Sequence, residues 1–99
     1  MTQLADLARV MRSKNAGPTL LTIDVLFAET AQLDWALPAL SSSRISSLYG
    51  IEAEHIRIIP YRPAMAIKIV MPRKLIAGDP GDRDVYGAQQ HAPLLGIEV

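Results

Sequence analysis

The sequence predicts an α+β domain with a four-stranded antiparallel sheet, helices on one of its faces and an extra helix at the N-terminus. Large apolar residues recur at every second position in residues 19–27, 64–71 and 94–99, which is the period of a half-buried strand. Between the first two of these segments, leucines recur at helical spacing from about Thr30. Strand and helix periods that alternate within one short chain favour a two-layer fold.

Length and composition bound the possible functions. A chain of 99 residues suffices for a single domain, which we place at residues 1–99. Hydrophobic residues make up 49% and ten basic residues balance ten acidic ones, so neither disorder nor nucleic-acid binding is expected. Without cysteine there is no thiolate metal site. No signal peptide and no apolar run of roughly 20 residues is seen, so we expect a cytoplasmic protein that does not bind a membrane.

The N-terminal segment predicts a helix followed by a strand. Thr2 is expected to cap the helix, whose apolar positions continue at helical spacing to Met11. The polar residues 12–15 and the Gly17-Pro18 pair end it. Residues 19–27 then form the first strand of the predicted sheet.

A broken helix follows that strand. The helical pattern begins near Thr30 and must be interrupted at Pro38, because proline lacks an amide proton and clashes with the preceding turn. Ser41 or Ser42 is expected to cap a second helical segment. Gly50 provides its C-terminal stop.

The second half of the chain predicts two paired strands, a loop, a short helix and a last strand. The strands are residues 55–61 and 64–71, the polar loop is residues 78–82, and Asp84 caps the short helix. Residues 94–99 close the chain as the fourth strand. After the N-terminal helix, the order is β-α-β-β-α-β, which is the ferredoxin-like pattern.

One face of this sheet carries no helix in the predicted topology. If Leu21, Ile23, Val25 and Phe27 face the helices, the intervening residues face outward. The N-terminal helix covers part of this outer face, or the face is a subunit interface that makes the isolated protein a homo-oligomer. The apolar outward positions are Leu20, Leu26, Ile59, Tyr61, Ala64, Ala66, Val70 and Leu94.

A first polar cluster lies where the N-terminal helix is predicted to meet the first strand. Two cations, a hydroxyl and an amide beside a flexible glycine have the groups that hold a carboxylate or phosphate. The alternative is an ordinary polar turn in which the helix dipole favours the cations. The cluster consists of Arg12, Ser13, Lys14 and Asn15.

A second polar cluster precedes the last strand. Its carboxylates and imidazole suit a substrate or partner contact, whereas their spacing matches no tight metal signature, so no metal and no cofactor is predicted. The alternative is a helix cap with surface amides. We expect the two clusters to approach each other, within a chain or across an interface, and to bind a small anionic ligand. The second cluster consists of Asp82, Asp84, Tyr86, Gln89, Gln90 and His91.

Three stretches of the sequence resemble a bacterial family of domains of unknown function. They are LARVMRSKNAGPTLLTIDVLF, AMAIKIVMPR and GDRDVYGAQQHAPLLGIEV. The resemblance as a whole extends over nearly the entire chain. Members of that family accompany the acyclic terpene utilisation protein AtuA and its relatives. More distantly, the layout is similar to the ferredoxin-fold domain at the C-terminus of AtuA-like proteins.

The resemblance implies an accessory subunit that pairs with a large AtuA-like protein in the catabolism of small organic acids or acyl thioesters. It assigns no catalytic residue, and whether the chain is an enzyme stays open. Two alternatives from other classes remain: a self-contained, homo-oligomeric lyase or isomerase, and a ligand-binding regulatory module. Turnover by the isolated chain would indicate the first, and stabilisation by a small ligand without turnover would indicate the second.

Overall fold

The computed structural model describes residues 2–17, 19–72, 94 and 96–99 of the chain. The described helices and strands are α1 (Leu4–Leu7), β1 (Val10–Asn15), β2 (Leu20–Leu26), α2 (Thr30–Ala36), α3 (Ser42–Tyr49), β3 (Arg57–Tyr61) and β4 (Ala66–Pro72). Short 3-10 turns connect several of them, at Leu37–Ala39, Ala53–His55 and Arg62–Ala64.

The strands form a four-stranded sheet in the order β1-β2-β4-β3, and every neighbouring pair is antiparallel. The prediction of an α+β fold with a four-stranded antiparallel sheet is therefore confirmed. The ferredoxin-like strand order is not confirmed. The strands predicted at 19–27, 55–61 and 64–71 hold the positions that this order assigns to its first three strands. The place beside β2 that this order assigns to the fourth strand is, however, occupied by β1.

The helix predicted through Met11 is wrong beyond its first turn. Helix α1 ends at Leu7, Ala8 is already extended, and the chain then runs as β1 along β2. Residues Met11 and Val25 are paired in this ladder, and the amide of Arg9 donates to the carbonyl of Leu26 at 2.8 Å. The ladder engages the backbone groups of β1 that point to β2, and it places Met11 against the core. A helix would also have placed Met11 there. Apolar spacing alone did not distinguish the two.

The described residues of the last predicted strand, 94 and 96–99, are also absent from the sheet. Leu94 lies in a short turn, and Glu98 forms an isolated bridge with Gln3. Backbone hydrogen bonds of 2.8 Å from Leu4 to Ile97, and of 3.0 Å from Val99 to Thr2, join the two ends of the chain. The described C-terminal residues therefore pair with the N-terminal segment. The loop expected at 78–82 and the helix expected from Asp84 lie outside the described residues.

The central helices begin and end where their sequence signals predict. Side-chain and backbone groups of Glu29 and Gln32 form a capping box at the start of α2, which gives way at Leu37–Ala39 to a 3-10 turn that contains Pro38. The Ser41 hydroxyl accepts a hydrogen bond from the Arg44 amide at 3.3 Å and caps α3. Gly50 ends α3 in the left-handed region, at φ 66°. Across the described helices, length and hydropathy fall short of what crossing a bilayer requires.

The hydrophobic core lies between the sheet and the helices. The prediction that Leu21, Ile23, Val25 and Phe27 face the helices is confirmed, since all four are buried. The outward placement of Leu94 is wrong, because this side chain is completely buried in the same core. Other core residues come from every described helix and from β4; they include Leu4, Leu7, Leu33, Ala36, Ile45, Tyr49, Ile67, Ile69 and Met71.

Candidate functional site

The candidate site is the face of the sheet that points away from this core, which we call the open face. Because side chains alternate along a strand, the register assigns one set of residues from each strand to it. The open face comprises Val10, Arg12, Lys14, Leu20, Thr22, Asp24, Leu26, Arg57, Ile59, Tyr61, Ala66, Lys68 and Val70.

The cross-strand pairs arrange most of these residues in three rows that run from β1 across β2 and β4 to β3. Neighbouring strands are about 4.8 Å apart, so each row extends over roughly 14 Å. We call them the apolar row, the central row and the third row. In that order the rows are Val10-Leu26-Ala66-Tyr61, Arg12-Asp24-Lys68-Ile59 and Lys14-Thr22-Val70-Arg57.

The central row holds the only acidic group of the open face. The Asp24 carboxylate lies 3.6 Å from Nε of Arg12, and the register places Lys68 on its other side. The Asp24 side chain is 15% exposed and that of Arg12 is 65% exposed. The Asp24 carboxylate is thus largely covered by its neighbours, whereas Arg12 and Lys68 are exposed. The outer surface of the row is therefore basic.

A shallow hollow of about 470 Å³ opens over the apolar and central rows. Arg12 and Lys68 contribute cations to its wall, and Ile59 and Tyr61 contribute apolar surface. Its remaining lining residues are Asp24, Leu26, Ala64 and Ala66. A group that combines a negative charge with an apolar part matches this lining.

The first predicted cluster is not a turn between a helix and a strand. They lie in β1, where alternation sends Arg12 and Lys14 to the open face, and Ser13 and Asn15 to the core side. Ser13 is buried there. The prediction that the cluster lies at a helix-to-strand junction is therefore wrong. Both of its cations lie on the candidate site, and the binding of an anion by the four residues stays a prediction.

The second predicted cluster, residues 82–91, lies outside the described residues, so its approach to Arg12 and Lys14 stays a prediction. Sequence reasoning assigned no binding role to Arg57 and Lys68. The signal that finds them is the period of two: each is an even step from an outward-facing apolar residue of its own strand.

Other polar groups in the described chain lie away from the open face. The His55 imidazole is 3.7 Å from a Glu52 carboxylate oxygen and 3.8 Å from one of Glu54, and all three side chains are exposed. An exposed group of this kind is common without any ligand. Burial raises the pKa of Tyr49 well above its ordinary value of 10.0, because the phenolate would lose its hydration.

Comparison with known proteins identifies the family but no function. A model of the family named domain of unknown function DUF4387 matches residues 4–98. The chain belongs to the DUF4387 family. No curated protein and no solved structure matches the DUF4387 chain. The match covers the described sheet and helices together with both polar clusters of the sequence.

Proposed function

We propose that this DUF4387 chain is an accessory subunit that binds a larger protein through its open face. The observation that carries the proposal is the distribution of exposed apolar side chains. Of the six large hydrophobic side chains exposed in the described residues, four lie on the open face, namely Val10, Leu20, Ile59 and Tyr61. Exposed apolar residues gathered on one side of a sheet mark a contact surface.

The resemblance to AtuA-associated proteins supplies the partner of this proposal. The larger protein is an AtuA-like subunit that acts on small organic acids or acyl thioesters. The open face provides the contact, and Arg12 and Lys68 at its hollow supply cations to a site shared with that subunit. No catalytic residue is assigned to the chain itself.

Co-expression with an AtuA-like protein from the same genome tests the proposal. We expect the two chains to co-purify. We expect Tyr61→Ala to weaken the complex at least about tenfold, because Tyr61 is 58% exposed on the open face and interface tyrosines often dominate binding. Leu48→Ala is the matched control, since Leu48 is 43% exposed but lies on α3. Failure to co-purify, or equal loss in both variants, would contradict the proposal.

The hollow favours one of the alternatives, a ligand-binding regulatory module. Its volume of about 470 Å³ falls within the usual range of small-molecule sites, and Arg12 and Lys68 are suited to an anion. A small carboxylate that raises the melting temperature of the isolated chain, and no longer does so in Lys68→Ala, would favour this module over the accessory subunit.

A further inference from the structure

We propose that the surface bound by the open face is acidic, a carboxylate-rich patch of a different protein and not a second copy of this chain. The inference rests on the proposed function, because it names the chemistry of the partner at the same face. Its basis is the way the fold segregates charge.

Charge is balanced in the described chain but unevenly placed. The described residues include seven Lys or Arg and seven Asp or Glu. Four of these cations but only one of the anions lie on the open face, which gives the face a net charge of +3 and leaves −3 on the rest of the described residues. The open-face cations are Arg12, Lys14, Arg57 and Lys68.

The single anion does little to neutralise the outer surface. Asp24 is 15% exposed and is already paired with Arg12. Lys14, Arg57 and Lys68 are exposed, and none of the ion pairs among the described residues involves them. Their charges are therefore available to an incoming surface that carries carboxylates.

A second copy of the chain is a poor occupant of this face. A two-fold pairing brings the same surface of both copies together, so two faces of net charge +3 would meet. Like charges placed opposite one another across an interface weaken the complex. The sequence led us to expect self-association through this face. The strand register gathers four cations there, and their repulsion opposes that pairing.

A nucleic acid is also a poorer occupant than an acidic protein surface. Asp24 lies in the centre of the face, and the apolar row has one aromatic ring, Tyr61, where successive stacked bases would need several. The other residues of the row, Val10, Leu26 and Ala66, are aliphatic. Those residues instead suit an apolar strip flanked by carboxylates. The partner surface is thus a protein patch with glutamate or aspartate beside aliphatic side chains.

A synthetic peptide of alternating glutamate and leucine tests this inference without the natural partner. We expect the isolated chain to bind it, and binding to weaken between about 50 mM and 500 mM sodium chloride. Lys68→Glu should weaken binding about tenfold or more, because it removes a cation from the hollow and adds an anion. Arg44→Glu, an identical charge reversal on α3, should change it less than about twofold. Circular dichroism verifies that both variants are folded.

Three results would overturn the inference. One is equal weakening by Lys68→Glu and Arg44→Glu, and another is tighter binding of a single-stranded oligonucleotide than of the peptide. The third is a dimer at about 50 mM salt that Lys68→Glu disrupts, which would make a second copy the occupant. If the chain binds the peptide as expected but never an AtuA-like protein, the proposed function fails alone. The chain could instead bind that protein through Tyr61, with no binding of the peptide and no dependence on salt. That result would contradict only the inference that the partner surface is acidic.

Discussion

The two faces of the sheet are made from the same strands, yet they follow opposite rules. On the core face, Ile23 pairs with Ile69 and Val25 pairs with Ile67 at consecutive inward positions of β2 and β4, and all four side chains are fully buried. One residue away on the same strands, Asp24 and Lys68 are paired on the open face. A shift of one residue therefore separates a continuous apolar layer from a charged one.

This contrast shows which face determines the fold. Burial of the core face fixes the register, because a slip of one residue would expose the isoleucines and bury the charges. The open face contributes less burial and is consequently free to carry cations next to apolar residues. A face whose composition is not required for folding is where binding residues are accommodated.

The largest expected effect comes from truncating the core face. Ile69→Ala should lower the free energy of unfolding by about 2–5 kcal/mol, since it removes three carbons from a fully buried position between β2 and β3. Its neighbour supplies the control: Val70→Ala, at a half-buried open-face position, should cost less than about 1.5 kcal/mol. Urea denaturation measures both. Similar losses would mean that the two faces contribute equally to stability.

A comparison of two leucines tests the corrected placement of Leu94. Sequence reasoning placed Leu20 and Leu94 on the same outer face, whereas Leu94 is fully buried and Leu20 is 41% exposed. We expect Leu94→Ala to cost about 2–4 kcal/mol of unfolding free energy and Leu20→Ala less than about 1 kcal/mol. Equal effects in thermal or urea unfolding would support the original placement.

Periodicity predicted the parts of the fold in which one physical signal dominates. The alternating positions of β2 and β4 predicted which of their residues face the core, and Pro38, Ser41 and Gly50 each acted through the local backbone. It failed in β1, where Ser13 occupies an inward position and hides the alternation. Because Leu4 and Leu7 of α1 lie at helical spacing, the predicted helix was extended too far, to Met11.

The candidate site was only partly predictable for a related reason. The open face and the cations Arg12 and Lys14 could be anticipated from strand patterns and from polar runs. Arg12 and Lys14 lie on the same face as Arg57 and Lys68 because the strand order β1-β2-β4-β3 places distant segments of the chain in the same rows. Strand order arises from long-range pairing, and no local spacing in the sequence encodes it.

Alkaline pH should affect stability through the buried Tyr49 differently from the exposed Tyr61. Because burial raises the pKa of Tyr49, the folded chain keeps this phenol neutral where the unfolded chain ionises it. Its contribution is therefore fully present below the ordinary value of 10.0 and is lost progressively as the pH rises beyond it, by at most about 1.4 kcal/mol per pH unit.

Urea denaturation at increasing pH measures this slope. Tyr49→Phe should make the alkaline decline shallower, because the unfolded chain then has no such phenol to ionise. Tyr61→Phe, at an exposed open-face position, is the matched control and should leave the Tyr49 contribution to the decline in place. A decline unchanged by Tyr49→Phe would contradict the assignment of this pH dependence to the buried ring.

The smallest expected effect concerns the ion pair on the open face. A double-mutant cycle with Arg12→Gln and Asp24→Asn should give a coupling free energy below about 1 kcal/mol that decreases with added salt, because Arg12 is 65% exposed and its charge is screened. A coupling above about 2 kcal/mol would show that the pair acts as a buried one and holds the sheet together. In that case the charges of the open face would be needed for folding, and their position could no longer be attributed to a partner.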